Sequence, residues 1–160
     1  MQRAFTTKYG ALAGILTAKI GICLPKDVQG GNVRVHQYVG IWDTGASTSA
    51  ITKEVIHALD LKPIGFTNIY HAGGKSRVNV FLISVILEDD VMISDLEVTE
   101  AELVNENLLD HEQFHILIGM DIINHGDLAI TNYHQKTTLS FRVPSVEEVD
   151  FVAKKRKNAR

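Results

Sequence analysis

Ile41-Trp42-Asp43-Thr44-Gly45-Ala46-Ser47-Thr48 ends an apolar run on an aspartate and follows it at once with Thr-Gly and small residues. A strand leaving through such a turn holds its carboxylate at the rim of a buried element, where glycine permits tight geometry and hydroxyls supply hydrogen bonds. Alone, the same residues also make an ordinary turn after a strand. Upstream, Leu16, Ala18, Ile20, Ile22 and Leu24 share one parity, which marks a half-buried strand closed by Pro25. Asp27 to Asn32, with Gly30-Gly31 inside it, reads as a turn. Val33, Val35, Val39 and Ile41 then share the parity of a second strand that runs into Asp43, so the two runs form a hairpin.

Downstream the period changes. Ile51, Val55 and Leu59 recur every four residues, a short helix over Thr52 to Leu59 that Thr52 or Ser49 can cap and that ends before Pro63. Phe66 to Leu87 holds two extended stretches interrupted by Ala72-Gly73-Gly74-Lys75-Ser76, a long hairpin with a glycine tip. A turn at Glu88-Asp89-Asp90 leads to a strand over Val91 to Val98, and the acidic stretch from Thr99 to Glu112 is the least regular part. Phe114 to Ile118 is a continuous apolar run ending at Gly119, a buried strand; Asp121 to Gly126 reads as one helical turn with a glycine stop. Leu128 to Thr131 and Thr138 to Val143 alternate around a turn at Asn132 to Lys136, and Pro144 closes the last strand. The tally of about eight short strands and one or two short helices predicts a mostly antiparallel β domain.

Composition sets the bounds. With 160 residues, 45% apolar and 22% charged, the chain suits one globular domain with a real core. We divide it into an N-terminal segment (1–14), the domain proper (15–144) and a basic tail (145–160). The net charge of −3 conceals five basic residues within 154–160; residues 1 to 153 carry 11 basic against 19 acidic side chains, a net of −8. That balance argues against a nucleic-acid partner. The apolar stretch Ala11 to Ala18 is too short to span a bilayer and lacks a small-x-small cleavage site, so no membrane association is expected. Cys23, the single cysteine, cannot form an intrachain disulfide, and the expected compartment is the cytoplasm.

Two other motifs compete. Gly74-Lys75-Ser76 matches the end of a phosphate-binding loop, but Ile69 stands where that loop needs its first glycine, and the strand-loop-helix setting is missing. His111-Glu112-Gln113-Phe114-His115 matches the H-E-x-x-H zinc-hydrolase pattern, which requires a helix to put both imidazoles on one face. Here His115 leads into a strand, where residues four apart lie about 13 Å from each other, and no well-placed third ligand follows. No metal and no cofactor is expected.

Asp43-Thr44-Gly45-Ala46-Ser47 closely resembles the catalytic signature of aspartic proteases, in the alanine form of the single-domain, retroviral-type members. The glycine-tipped hairpin at Ala72-Gly73-Gly74 lies about thirty residues on, where that family has its flap, and Leu117-Ile118-Gly119 resembles its apolar-apolar-Gly motif. The order covers roughly residues 15 to 144 and is similar to retropepsin-like aspartic proteases, nearest to their cellular and bacterial branch: a helix follows the active-site turn, and Met120 stands where viral enzymes usually carry arginine or a similar polar residue. The resemblance implies a closed β-barrel lobe with one or two short helices.

It also implies a chemistry. Aspartic proteases need two carboxylates sharing one proton, because two like charges about 3 Å apart cannot both ionise. This chain has one Asp-Thr-Gly, so the resemblance implies a homodimer acting on a protein or peptide substrate, with Asp43 of each copy meeting on the two-fold axis. Thr44 would bond across that axis, Gly45 and Ala46 complete the turn, Leu117, Ile118 and Gly119 support it, and Ala72, Gly73 and Gly74 form the flap tip. Ala46 in place of a serine removes a donor near the anion, which predicts an optimum around pH 5 to 6. The alternatives are a catalytically silent dimerisation or binding module and, more remotely, the zinc hydrolase.

Overall fold

The computed structural model describes residues 2–31, 33–71, 74–103 and 113–152. Its strands are β1 (Arg3–Lys8), β2 (Thr17–Cys23), β3 (His36–Trp42), β4 (Ala50–Ile51), β5 (Gly65–His71), β6 (Gly74–Ile86), β7 (Met92–Glu100), β8 (Ile116–Ile118), β9 (Asp127–Thr131) and β10 (Thr138–Val143). Three short helices, α1 (Pro25–Gln29), α2 (Lys53–Ala58) and α3 (Met120–Ile123), lie between them.

The barrel closes through β6. Hydrogen-bonded neighbours run β2-β3-β8-β4-β7-β6, and Ser84, Val85 and Ile86 at the end of β6 pair back onto Cys23, Ile22 and Gly21 of β2. A register shift between Ile83 and Val85 lets one long strand serve both partners, since an irregularity of this kind bends and twists the chain. The first half of β6 projects from the ring and carries β5 as an antiparallel arm. Ile20, Ile22, Ile51, Ile83, Val85, Val98, Ile116 and Ile118 fill the inside and are fully buried. Each such side chain contributes about 1.5–3 kcal/mol relative to an exposed one.

The valine parity of the second strand is reversed. In β3, Gly40 and Trp42 face inward, whereas Val39 is exposed and Ile41 half-buried; Val33 and Val35, also exposed, precede the strand. The register explains this: Ala18 and Ile20 of β2 stand opposite Gly40 and Tyr38, and opposed residues share a face. Gly40 is the inward residue because the space is already filled; a Cβ there would lie 2.6 Å from Ile20 Cδ1 and 2.9 Å from Ile116 Cγ2.

Three further differences come from local chemistry. Asp27 to Gln29, read as part of a turn, belong to α1, which Pro25 starts at a position needing no N–H and which stops ahead of Gly31 at φ 70°. The helix expected over Thr52 to Leu59 is present as α2, but neither hydroxyl caps it, because Ser49 Oγ is committed elsewhere and Thr52 makes no capping bond. Residues 3 to 8, assigned no element from sequence, form β1 on β10, which with β9 makes a three-stranded sheet. Phe5 and Phe141 of this sheet lie 6.4 and 5.2 Å from the Trp42 ring, joining it to the barrel core.

Two pairings, β3 with β8 and β4 with β7, are parallel in the otherwise antiparallel barrel. Parallel strands finish at the same edge, and the register Trp42↔Ile118 therefore delivers Asp43 and Gly119 side by side.

Candidate active site

Beyond Trp42 the ladder continues for one bond, from Asp43 N–H to the Ile118 carbonyl (2.9 Å). The chain then turns: Gly45 N–H donates to Asp43 Oδ1 (2.8 Å) and Ala46 N–H to the Asp43 carbonyl (3.3 Å). The carboxylate is half-buried, held at the turn by a backbone donor, and Thr44 beside it is exposed with no hydrogen-bond partner among the described residues.

The turn is fastened from below by β8 and α3. Met120 N–H donates to the Ala46 carbonyl (2.8 Å), and Gly119 N–H to Ser49 Oγ (3.0 Å). Ser49 is wholly buried and in turn donates through Oγ to Asp121 Oδ1 (2.6 Å) and through its backbone N–H to Asp121 Oδ2 (2.8 Å). Ile122 N–H also donates to Oδ1 (2.9 Å), so every partner of the Asp121 carboxylate among the described residues is a donor. A Cβ on Gly119 would lie 2.8–3.0 Å from backbone atoms of Thr48, Ala46 and Ser49, which explains glycine at the end of the apolar run.

Above the turn lies an open cleft of about 640 Å³, within the range of ligand sites. Its floor is Asp43, Gly45 and Ala46; Thr67 to Tyr70 of β5 form the opposite wall. Leu117 lines it, while Ile118 points into the core. Gly74, with φ 119°, opens β6 directly opposite His71; Ala72 and Gly73 lie outside the described residues. Glu97, Thr99 and Ala101 reach the cleft from β7 and the residue just past it.

The zinc-like motif is divided: His111 and Glu112 lie outside the described residues. His115 accepts from Val39 N–H through Nδ1 (3.4 Å), its Nε2 lies 3.7 Å from Glu54, and its ring is 5.1 Å from that of Tyr38. Burial, then Glu54, pushes the Tyr38 phenol up. Among the described residues no three potential ligands gather at one point, and no helix is long and apolar enough to cross a membrane.

Residues 27–122 match the sequence profile of a family described as aspartyl protease. The chain belongs to the aspartyl protease family. Its fold is that of a retropepsin-like aspartic protease from Rickettsia conorii, at TM-score 0.52 and 15% identity over 89% of this chain and 95% of that one. The protease of Simian Foamy Virus (mac) aligns at TM-score 0.42 and 15% identity, over 68% of this chain and 91% of that one. Among curated protein sequences none matches.

Three residues at the candidate site, Ser49, Asp121 and Glu97, escaped the sequence reading. The sequence offers Ser49 as a helix cap and Asp121 as the start of a helical turn; only the meeting of the segment before β4 with α3 pairs them. Glu97 carried a signal in the alternation of Leu96, Glu97 and Val98, which sets a charge on the face opposite two core residues.

Proposed function

We propose that the protein is an aspartic endopeptidase that works as a homodimer, with the Asp43 carboxylates of two copies flanking one water. The observation that carries this reading is the Asp43 carboxylate held by Gly45 N–H at the floor of the cleft, next to the exposed Thr44. The ionised member of the pair takes a proton from the water as its oxygen attacks the peptide carbonyl, and the protonated member donates to the carbonyl oxygen. The resulting gem-diol collapses by breaking the C–N bond, with a proton passing to the departing nitrogen, and no covalent enzyme intermediate forms.

Thr44 of one copy bonds across the axis to the other turn, the β5–β6 arm serves as a flap with Ala72, Gly73 and Gly74 at its tip, and Leu117, Ile118 and Gly119 support the turn. An extended substrate lies between arm and floor as an added strand. The unbridged, buried Cys23 suits a reducing compartment, and we place the protein in the cytoplasm. The test is cleavage of a peptide library between pH 4 and 7 by the wild type and Asp43→Asn, beside sedimentation of both. Cleavage lost in the variant, from a dimeric protein, is the expected result; a monomer, or cleavage indifferent to Asp43, refutes it.

A further inference from the structure

We infer that Glu97 is a specificity determinant of the cleft, selecting substrates with a lysine or arginine a few residues from the scissile bond. This rests on the endopeptidase reading and names its substrate class. Exposed Glu97 and buried Thr99 share the β7 face that lines the cleft, while Leu96 and Val98 on the other face belong to the core. The registers fix the height of this face. Leu117 stands level with Ala50 and Ala50 with Thr99; carried two residues further, Gly119 is level with Thr48 and Thr48 with Glu97. Asp43, alongside Gly119, is thus at the same height as Glu97, three strand spacings away, or about 14 Å along the sheet.

An extended peptide advances about 3.4 Å per residue, so a chain running from the Asp43 turn along this wall brings its third or fourth residue to Glu97. The Glu97 side chain is exposed and has no hydrogen-bond or ion-pair partner, and no lysine, arginine or histidine lines the cleft, among the described residues. An anion with no cation beside it among the described residues favours a positive side chain and disfavours an acidic one. In a two-fold dimer each copy supplies one such carboxylate, so the preference falls on both sides of the scissile bond.

The probes are labelled decapeptides with a central apolar pair, matched to Ala46, Ile69 and Leu117, and either lysine or norleucine at the third or fourth residue from that centre. Binding is read by fluorescence anisotropy on Asp43→Asn, so it does not depend on turnover. The lysine peptides are expected to bind about three- to fivefold more tightly at low salt, the range of an exposed ion pair. The preference should shrink at 0.5 M salt, as about 3–5 Å of screening length implies. It should vanish in Asp43→Asn/Glu97→Gln and pass to glutamate peptides in Asp43→Asn/Glu97→Lys. Equal affinity for lysine and norleucine, no binding of either, or a preference that survives Glu97→Gln overturns the inference. Asp43-dependent cleavage by the wild type without a lysine preference removes this proposal and leaves the endopeptidase standing; lysine-selective binding with no cleavage does the reverse.

Discussion

Gly119→Ala tests whether the β8–α3 corner sets the position of the Asp43 turn. Gly119 has φ −90° and ψ −175°, a conformation any residue adopts, so alanine brings no backbone strain and its whole effect comes from space. The new methyl would stand 2.8 Å from the Thr48 carbonyl carbon and 3.0 Å from the Ala46 oxygen and Ser49 nitrogen. These are backbone atoms of the segment that carries Asp43, so relief requires that segment to retreat by about 0.5 Å, stretching the Met120-to-Ala46 and Gly119-to-Ser49 bonds. Overpacking of this kind costs about 1–3 kcal/mol. For a chain of this length that is about 3 °C per kcal/mol, so Tm should fall by about 3–9 °C at fixed protein concentration. A displacement of 1 Å can cost about a hundredfold in rate, so half of it should lower kcat about tenfold. Calorimetry and peptide turnover measure the two effects, with Gly65→Ala, where a Cβ meets nothing within 4 Å, as the control. A Gly119→Ala protein with unchanged Tm and undiminished turnover would refute the reasoning.

Ser49→Ala removes the shortest bond to Asp121 and the acceptor of Gly119 N–H, and should destabilise the protein by about 1–3 kcal/mol in urea unfolding with an unchanged m value. Asp127 is held below the usual carboxylate range by hydrogen bonds from Ser145 and then Arg142. A carboxyl lowered on folding adds stability that is complete above its unfolded value near 4 and disappears as pH falls through the depressed one. Wild type should therefore melt above Asp127→Asn at pH 7, and the gap should close as pH falls below about 4; a gap that stays constant as pH falls contradicts the assignment. Burial, then Asp27, pushes the Cys23 thiol up, so a thiol reagent at pH 8 should react slowly with the folded protein and quickly in urea; equal rates would contradict the buried placement.

Alternation and apolar runs place the barrel strands β2, β6, β7 and β8, and the glycine-tipped turn places β5, whose side chains are nearly all exposed. The pattern misled in β3 for a reason internal to barrels: the inner face at Gly40 is crowded by Ile20 and Ile116, so the sequence puts glycine inside and valine outside. β1 escaped because Phe5 alone marks its buried side between exposed Ala4, Thr6 and Lys8, and Phe5 becomes significant only against Trp42 and Phe141.

The site divides along the same line. The Asp43 turn is local, within the eight residues Ile41 to Thr48, whose order already encodes the Gly45-to-Asp43 bond. Its support is not local: Ser49 and Asp121 are 72 residues apart and meet because β8 runs parallel to β3 and antiparallel to β4, so all three strand ends converge on one corner. Glu97 reaches the cleft by the same route, through the parallel pairing of β7 with β4. The two parallel pairings in an antiparallel barrel are therefore what turn a legible motif into a site. They place the Asp43 carboxylate and the Glu97 charge on the same rim, above the buried Ser49–Asp121 tether, so that an extended chain would meet the two carboxylates in sequence.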